Sequence, residues 1–560
     1  MKINIAFQWT IFALSLLILV PGLGHLPLFD WDEANFAEIS REMICTGNYL
    51  NPQIGFDPFY EKPPLFFWIQ AGSMKLFGIG EFAARLPNAI FGALSLLLLY
   101  RIGSREKGHF FGIIWVLFYS GSMAFLYFKS GIIDPGFNYF ILLILYYLFK
   151  EESESHKGQN GRIEALLVGI FAGLACLMKG PVALLIIFTI WFLRLLLSNL
   201  NSRRFISLGL LSLLGLIMIL AIWLIPLLGN GNHVFLTKFI EYQWELVGGQ
   251  IEWHNQPWYY HILVLLLISF PASIFCWPYL FKRYGRAIPE WDYYMASFFW
   301  VVLILFSIVT TKIIHYSSLC WFPITYFAAQ YGYNKYTFRE VNKNRYLAWG
   351  ILIIGTIISI ILMVLPIILG TPELKQMLVI ELGQEFAIEQ INTDVNWPYA
   401  ISVIGLTLFI ITIFGFWTQI VKTRKSMWLE ITAVCFFVWL AIYLFILPRI
   451  AEHTQSTMVQ KMKDIEAKNG LQINLNYKSY TPLFYGKLKL SEKTLKKSND
   501  EIINYKLPEK TMWDWATDVS SRKINRDFYL WTKTGNNAKL DKTWKKEGIY
   551  NGYVLYRKQF

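Results

Sequence analysis

Two short stretches of this sequence hold residue types whose spacing suits chemistry at a membrane surface. The first runs Asp32-Glu33-Ala34-Asn35-Phe36-Ala37-Glu38-Ile39-Ser40-Arg41-Glu42-Met43, and the second is Tyr60-Glu61-Lys62-Pro63-Pro64. Asp32 falls at the start of a helical pattern in which Phe36, Ile39, Met43 and Ile44 share a face and Gly47-Asn48 supplies the stop. That pattern predicts an amphipathic helix lying along the interface. A carboxylate at its N-terminus serves as a cap favoured by the helix dipole. Held where partial desolvation raises its pKa, the same carboxylate also suits a general base. Glu61-Lys62 reads either as an interfacial ion pair or as a compact cation for a phosphate leaving group.

Further groups of this kind recur at the ends of apolar runs. Asp134 follows Lys129 and precedes Pro135, and Lys179-Gly180-Pro181 forms a short turn. Glu241-Tyr242-Gln243 and the aromatic run Trp253-His254-Asn255-Gln256-Pro257-Trp258 occupy one long connection, and Lys312-Ile313-Ile314-His315-Tyr316 another. Singly, these are ordinary boundary residues, an interfacial aromatic belt and a lone histidine. Jointly they gather two carboxylates and several phosphate-capable cations, imidazoles and phenols.

The elements that must position them follow from composition. Of 560 residues, 55% are hydrophobic and 16% charged, with 44 Phe, 31 Tyr and 22 Trp and a mean hydropathy of +0.40; a soluble chain carries about a quarter charged. A soluble enzyme, a disordered chain and a disulfide scaffold are excluded, and the five scattered cysteines offer no metal pair. A first apolar run near 5–28 reads as a retained helix without a cleavage site. Others lie near 82–100, 110–128, 135–149, 163–178, 181–197, 206–228, 261–280, 293–310, 317–332, 347–370, 398–418 and 429–448. These predict about thirteen transmembrane helices.

Lysine and arginine concentrate in alternate connections, among them Arg101, Arg105 and Lys107, then Lys150, Lys157 and Arg162, then Arg203 and Arg204. The positive-inside rule puts these in the cytoplasm and the long segments 29–80, 229–260 and 371–397 outside. The net charge of +13 suits membrane anchoring and anionic headgroups rather than nucleic acid. Ionisable residues are nearly absent from the middle of every span, which disfavours an ion-coupled transporter. After about residue 448 the composition turns polar, so the chain divides into a transmembrane part, 1–448, and a soluble C-terminal α/β domain, 449–560, on the outside. There a helix is expected over Met458–Lys468 and strands over Leu471–Tyr477, Leu483–Leu490, Phe528–Trp531 and Tyr553–Tyr556.

On these residues the chain resembles the GT-C type glycosyltransferases that use polyprenyl-phosphate sugars, in the branch of the aminoarabinose lipid A transferases and protein O-mannosyltransferases. Asp32–Met43 is similar to that branch's D-E-x-x-Y-A-E-I-S-R-E-M, with Phe36 in place of the tyrosine, and Tyr60–Pro63 to its aromatic-E-K-P. Ile133-Asp134-Pro135, Met178-Lys179-Gly180, Lys312 to Tyr316 and Tyr480–Gly486 are similar to later motifs in the same order. The resemblance implies an α-helical polytopic GT-C membrane protein of the bacterial inner membrane with a periplasmic C-terminal domain.

It also implies inverting transfer of a sugar from a polyprenyl-phosphate carrier to a lipid A-like, protein or glycan acceptor. Asp32 and Asp134, joined by the neighbouring Glu33, are then the catalytic carboxylates. Lys62, Lys179, Lys312 and Tyr316 contact the donor phosphate, and Glu61 with His254 match positions that can hold a metal. No cofactor is required, a divalent metal ion being the one the residue set allows. The alternative from another class is a lipid-linked glycan flippase.

Overall fold

The computed structural model describes residues 5–156, 160–197, 202–247, 256–282, 290–309, 312–337, 344–420, 426–475, 477–487, 527–536, 540 and 542–558. Most of the expected spans are continuous helices, among them Glu81–Lys107, Asp134–His156, Arg162–Lys179, Ser202–Gly229, Trp291–Ile308 and Arg345–Gly370. Among the described residues six helices are long and apolar enough to cross a membrane, or up to seven if the bent pair Tyr260–Ile268 and Ala272–Leu280, at 112°, counts as one. Ile5–Leu19, His109–Ser120 and Val182–Leu193 are shorter apolar helices. The chain is a multi-pass membrane protein. Its large apolar residues face outward along Ser202–Gly229, where Leu210, Leu213, Ile217 and Ile222 are exposed, as lipid-facing helices require.

The helix Asp32–Thr46 forms as its pattern predicts and ends at Gly47, whose φ of 71° glycine adopts without strain. Its surroundings differ from the interfacial expectation, because protein covers more than one of its faces. Phe36, Ile39 and Met43 pack into the main core with Phe66 and Phe67. Ala34 and Ala37 lie against Met458, Val459 and Tyr485 of the C-terminal part. Even its charged residues are inside: Arg41 grips Glu38 through Nε and Nη2 at 2.7 Å each, and Glu42 accepts the amides of Gly55 at 2.6 Å and Phe56 at 2.8 Å.

The C-terminal part begins with the helix Ser456–Ala467 and holds a four-stranded sheet. In spatial order its strands are Leu471–Asn474, Phe528–Lys533, Tyr553–Lys558 and Lys545–Tyr550, the first pair parallel and the rest antiparallel. Residues 483–487 do not form the expected strand. Thr481–Gly486 is a short helix with Pro482 in its first turn, where a missing amide costs nothing, and 488–490 lie outside the described residues. The strand Lys545–Tyr550 was signalled only by Asn551-Gly552, both at positive φ, the pair a tight hairpin turn selects. Asn551 also accepts from the Met458 amide at 3.0 Å and donates to Glu452 O at 2.6 Å, fastening the hairpin to the helix start.

Candidate functional site

The site is built from four chain segments that meet at the start of the helix Asp32–Thr46. Asp32 is the first residue of Asp32–Thr46. Asp134 opens Asp134–His156 and Lys179 closes Arg162–Lys179, so the acid sits at a helix N-terminus and the base at a C-terminus, each on its favoured end of the dipole. His315 and Tyr316 lie on the short helical turn Ile314–Cys320. Lys179 Nζ donates to Asp134 Oδ1 at 2.6 Å. His315 Nε2 stands 3.8 Å from Asp32 Oδ2 and 3.9 Å from Asp134 Oδ2, too far for hydrogen bonds but bridging the two carboxylates. The Lys179 ammonium lies 5.1 Å over the Tyr316 ring.

The electrostatics follow from this packing. Asp134 is 3% exposed, whereas 45% of the Asp32 side chain is accessible. Asp32 forms part of the wall of a cleft, and the chain packed around it removes much of the surrounding water. Desolvation therefore pushes the Asp32 pKa above the ordinary carboxylate value, with the Asp134 charge adding and His315, Lys62 and Lys179 opposing. Burial lowers the His315 pKa, with Lys179 and Lys62 adding to the effect and both carboxylates opposing it.

What holds Asp32 opposite Asp134 is a buried tie one residue along. Arg85 binds both oxygens of Glu33, Nε to Oε1 at 2.9 Å and Nη2 to Oε2 at 2.8 Å, and donates also to Leu23 O, Leu26 O and Pro27 O. Glu33 further accepts from the Phe29 amide at 2.9 Å and the Gly131 amide at 2.5 Å. Asn88 Nδ2 donates to Ser130 O and Ile132 O at 2.6 Å each, so the segment leading to Asp134 is clamped from both sides. Burial would raise the Glu33 pKa, yet Arg85 and the two amides hold it low. Both Glu33 oxygens are thus committed, and its place in the site is to position rather than to react.

A second tie comes from the C-terminal part. Asp30 Oδ1 accepts from Ser479 Oγ at 2.8 Å, Thr481 Oγ1 at 3.0 Å and the Trp31 amide at 2.9 Å. Gln455 accepts from the Asp30 amide at 3.2 Å and donates to Leu28 O at 2.9 Å. Trp31 is held at φ 73°, ψ −125°, a costly backbone for a bulky residue.

Of the sequence-derived candidates, Asp32, Asp134, Lys179 and Tyr316 come together, with Lys62 near enough to bias the charge of Asp32, Asp134 and His315. Lys312 stays outside this cluster: it donates to Gln256 O at 3.0 Å and Val309 O at 2.6 Å and ties its own loop. Glu61 pairs with the Tyr242 phenol, whose pKa is raised by burial and by that carboxylate, while Gln243 Nε2 donates to Glu61 O at 3.3 Å. His254 lies outside the described residues, and among the described residues no three His, Cys, Asp or Glu side chains gather as a metal site would need. Arg85 is a site-builder that residue spacing does not single out; its signal in the sequence is an arginine at the start of an apolar run.

A cavity of about 410 Å³ adjoins the cluster. Asp32 and His315 form part of its wall together with Trp31, Tyr127 and Lys129, but Lys62, Asp134, Lys179 and Tyr316 do not line it. Lys129 donates to Leu19 O at 2.9 Å and Pro21 O at 2.7 Å, and burial lowers its pKa to about 8.

Comparison with known proteins shows likeness in sequence and in fold. The family described as dolichyl-phosphate-mannose-protein mannosyltransferase matches residues 61–225. The undecaprenyl phosphate-alpha-4-amino-4-deoxy-L-arabinose arabinosyl transferase of Edwardsiella ictaluri is 26% identical over 334 residues, 59% of this chain and 60% of that protein. Its counterpart from Aeromonas hydrophila is 25% identical over 340 residues, 57% and 58% of the two chains. The chain thus spans less than two thirds of the length of these relatives. The crystal structure of ArnT from Cupriavidus metallidurans bound to undecaprenyl phosphate superposes with a TM-score of 0.69 over 99% of this chain and 98% of that one, at 15% identity. In fold and in sequence likeness, this chain is similar to the aminoarabinose transferase branch of the GT-C glycosyltransferases.

Proposed function

We propose that this chain is an inverting membrane glycosyltransferase that moves a sugar from a polyprenyl-phosphate carrier to a lipid A-like, protein or glycan acceptor at the outer face of the bacterial inner membrane. The observation that carries the reading is the pairing of Asp32 and Asp134 across His315, with Lys179 bonded to Asp134 and Lys62 close by. Cations beside a carboxylate that is otherwise open to a cleft suit a reaction in which phosphate departs as an acceptor oxygen arrives.

In that reaction the acceptor oxygen attacks the anomeric carbon, the bond from that carbon to the phosphate oxygen breaks, and the polyprenyl phosphate leaves with both electrons. Lys62, Lys179 and Tyr316 stabilise the charge growing on the phosphate. Asp32 takes the proton of a hydroxyl acceptor, or orients an acceptor that is already ionised. Asp134 holds Lys179, and the His315 imidazole stands between Asp134 and Asp32. No cofactor is required; a divalent cation, if one takes part, is assigned to Glu61 and His254, and a chelator titration of activity tests that assignment.

Topologically, about thirteen spans, a transmembrane part over 1–448 and an extracytoplasmic domain over 449–560 complete the proposal. The flippase reading gains no support, since the relatives named above are transferases. Membranes carrying Asp32→Asn, supplied with undecaprenyl-phosphate-linked aminoarabinose and lipid A, give the direct test. Loss of transfer is expected, and near-wild-type transfer sinks the assignment.

A further inference from the structure

Glu42 is a buried carboxylate that the transfer chemistry leaves unused. It follows Arg41, whose pair with Glu38 is buried, and lies beside that Glu38 carboxylate, an arrangement that costs stability unless its oxygens are well bonded. What they bond is a turn. Glu42 Oε1 accepts the Gly55 amide at 2.6 Å and Oε2 the Phe56 amide at 2.8 Å, at the tip of the hairpin formed by Gln53–Ile54 and Asp57–Pro58. Both tip residues stand at positive φ, 62° and 60°; glycine adopts this freely, but for phenylalanine it is a strained backbone.

That backbone places the Phe56 ring. Ile54 and Phe59 pack in the main core, whereas Phe56 joins Ile473, Leu483 and Leu530 of the C-terminal part. Beyond the hairpin the chain stays fixed: the Phe59 amide donates to Pro52 O at 2.8 Å, the Tyr60 ring lies 5.1 Å from that of Phe235, and Gln243 Nε2 donates to Glu61 O. Lys62 comes next, before Pro63-Pro64 and the helix Leu65–Phe77, near enough to bias the charge of Asp32, Asp134 and His315.

We infer that Glu42 is a positioning residue for Lys62: together with the seat of Phe56 in the C-terminal core, it fixes the Gly55–Phe56 turn, and the turn sets where Lys62 stands beside the two aspartates. The catalytic consequence rests on the transferase reading and deepens it by naming what holds the phosphate-side cation in place. Glutamine at position 42 keeps a donor for Glu38 but turns an amino group toward one of the two turn amides, so one bond is lost and that N–H meets another donor.

The experiment uses full-length protein in nanodiscs and two readouts. In the first, lysines are acetylated with acetic anhydride and the rate at Lys62 is read by mass spectrometry, which needs no transfer. Glu42→Gln should label Lys62 severalfold faster than wild type does, with the exposed Lys545 unchanged; an unaltered Lys62 rate overturns the inference. In the second, Glu42→Gln and Lys62→Met are made singly and together, and kcat/KM is measured with undecaprenyl-phosphate-linked aminoarabinose and lipid A. Alone, Glu42→Gln should lower kcat/KM about tenfold or more, because misplacing a positioned group by about an ångström can cost about a hundredfold. Added to Lys62→Met it should cost about twofold at most, since the group it places is already gone. Losses that multiply in full overturn the inference. Should Glu42→Gln fail to fold, Phe56→Gly, which keeps the turn's φ and takes the ring out of the C-terminal core, carries both readouts with the same expected results. Labelling as expected with no sugar transfer by wild type defeats the transferase reading and leaves the placement of Lys62 by Glu42 standing.

Discussion

Arg85 closes a fork on Glu33 at 2.8 and 2.9 Å, and the same Glu33 carboxylate takes the Gly131 amide at 2.5 Å. One side chain thereby links the residue after Asp32 to the segment that ends at Asp134. Both partners are at most 5% exposed, so removing one leaves the other charge buried and unpaired. Glu33→Ala should cost about 3–5 kcal/mol of stability, read as a large drop in unfolding temperature. Glu33→Gln keeps some of the hydrogen bonds and should fold, but with kcat reduced and donor affinity little changed.

On the proposed reading Lys179 and Lys62 divide the phosphate side. Lys179→Met leaves Asp134 buried without its 2.6 Å partner, so both folding and transfer should suffer. Lys62→Met should fold normally and lower kcat/KM about a hundredfold, the scale of one lost transition-state donor. Steady-state kinetics with varied donor distinguish the two.

The pH dependence has a defined sign. Burial raises the Asp32 pKa, so with a hydroxyl acceptor the acid limb of transfer should lie above the ordinary aspartate value of about 4. Lys62 opposes that rise, so Lys62→Met should move the limb to still higher pH. A limb unmoved by that substitution argues against Asp32 as the base.

The same raised pKa bears on stability. A carboxyl that binds its proton more tightly in the fold than in the unfolded chain destabilises the fold once pH climbs from the unfolded to the folded value. Asp32→Asn should therefore unfold at the wild-type temperature or above it at pH 7, while transfer falls about a hundredfold or more. Thermal unfolding beside the activity assay checks both.

Ser479→Ala with Thr481→Ala removes two donors from Asp30 without touching the cluster. Transfer should drop several-fold while the C-terminal sheet stays folded by circular dichroism. Unchanged kinetics would remove the C-terminal part from the positioning of Asp32.

Much of this was readable in the chain itself, because it depends on local pattern. Apolar runs and the side preference of Lys and Arg mark the helices, since a bilayer leaves no other way to satisfy the backbone. The face shared by Phe36, Ile39 and Met43, with the stop at Gly47, marks the helix that Asp32 begins. What spacing could not decide is which charges meet. Glu33 and Asp32 look alike side by side, yet helical rotation turns Glu33 inward onto Arg85, 52 residues away, and leaves Asp32 facing the cleft. Lys312 and Lys179 likewise look equivalent, but only Lys179 ends a helix beside Asp134. The strand expected at Leu483 became the Thr481–Gly486 helix that grips Asp30, a long-range contact no local pattern encodes. Residue types and periodicity determined which groups could react, and tertiary packing decided which remain open to the cleft, because desolvation and pairing depend on neighbours distant in sequence.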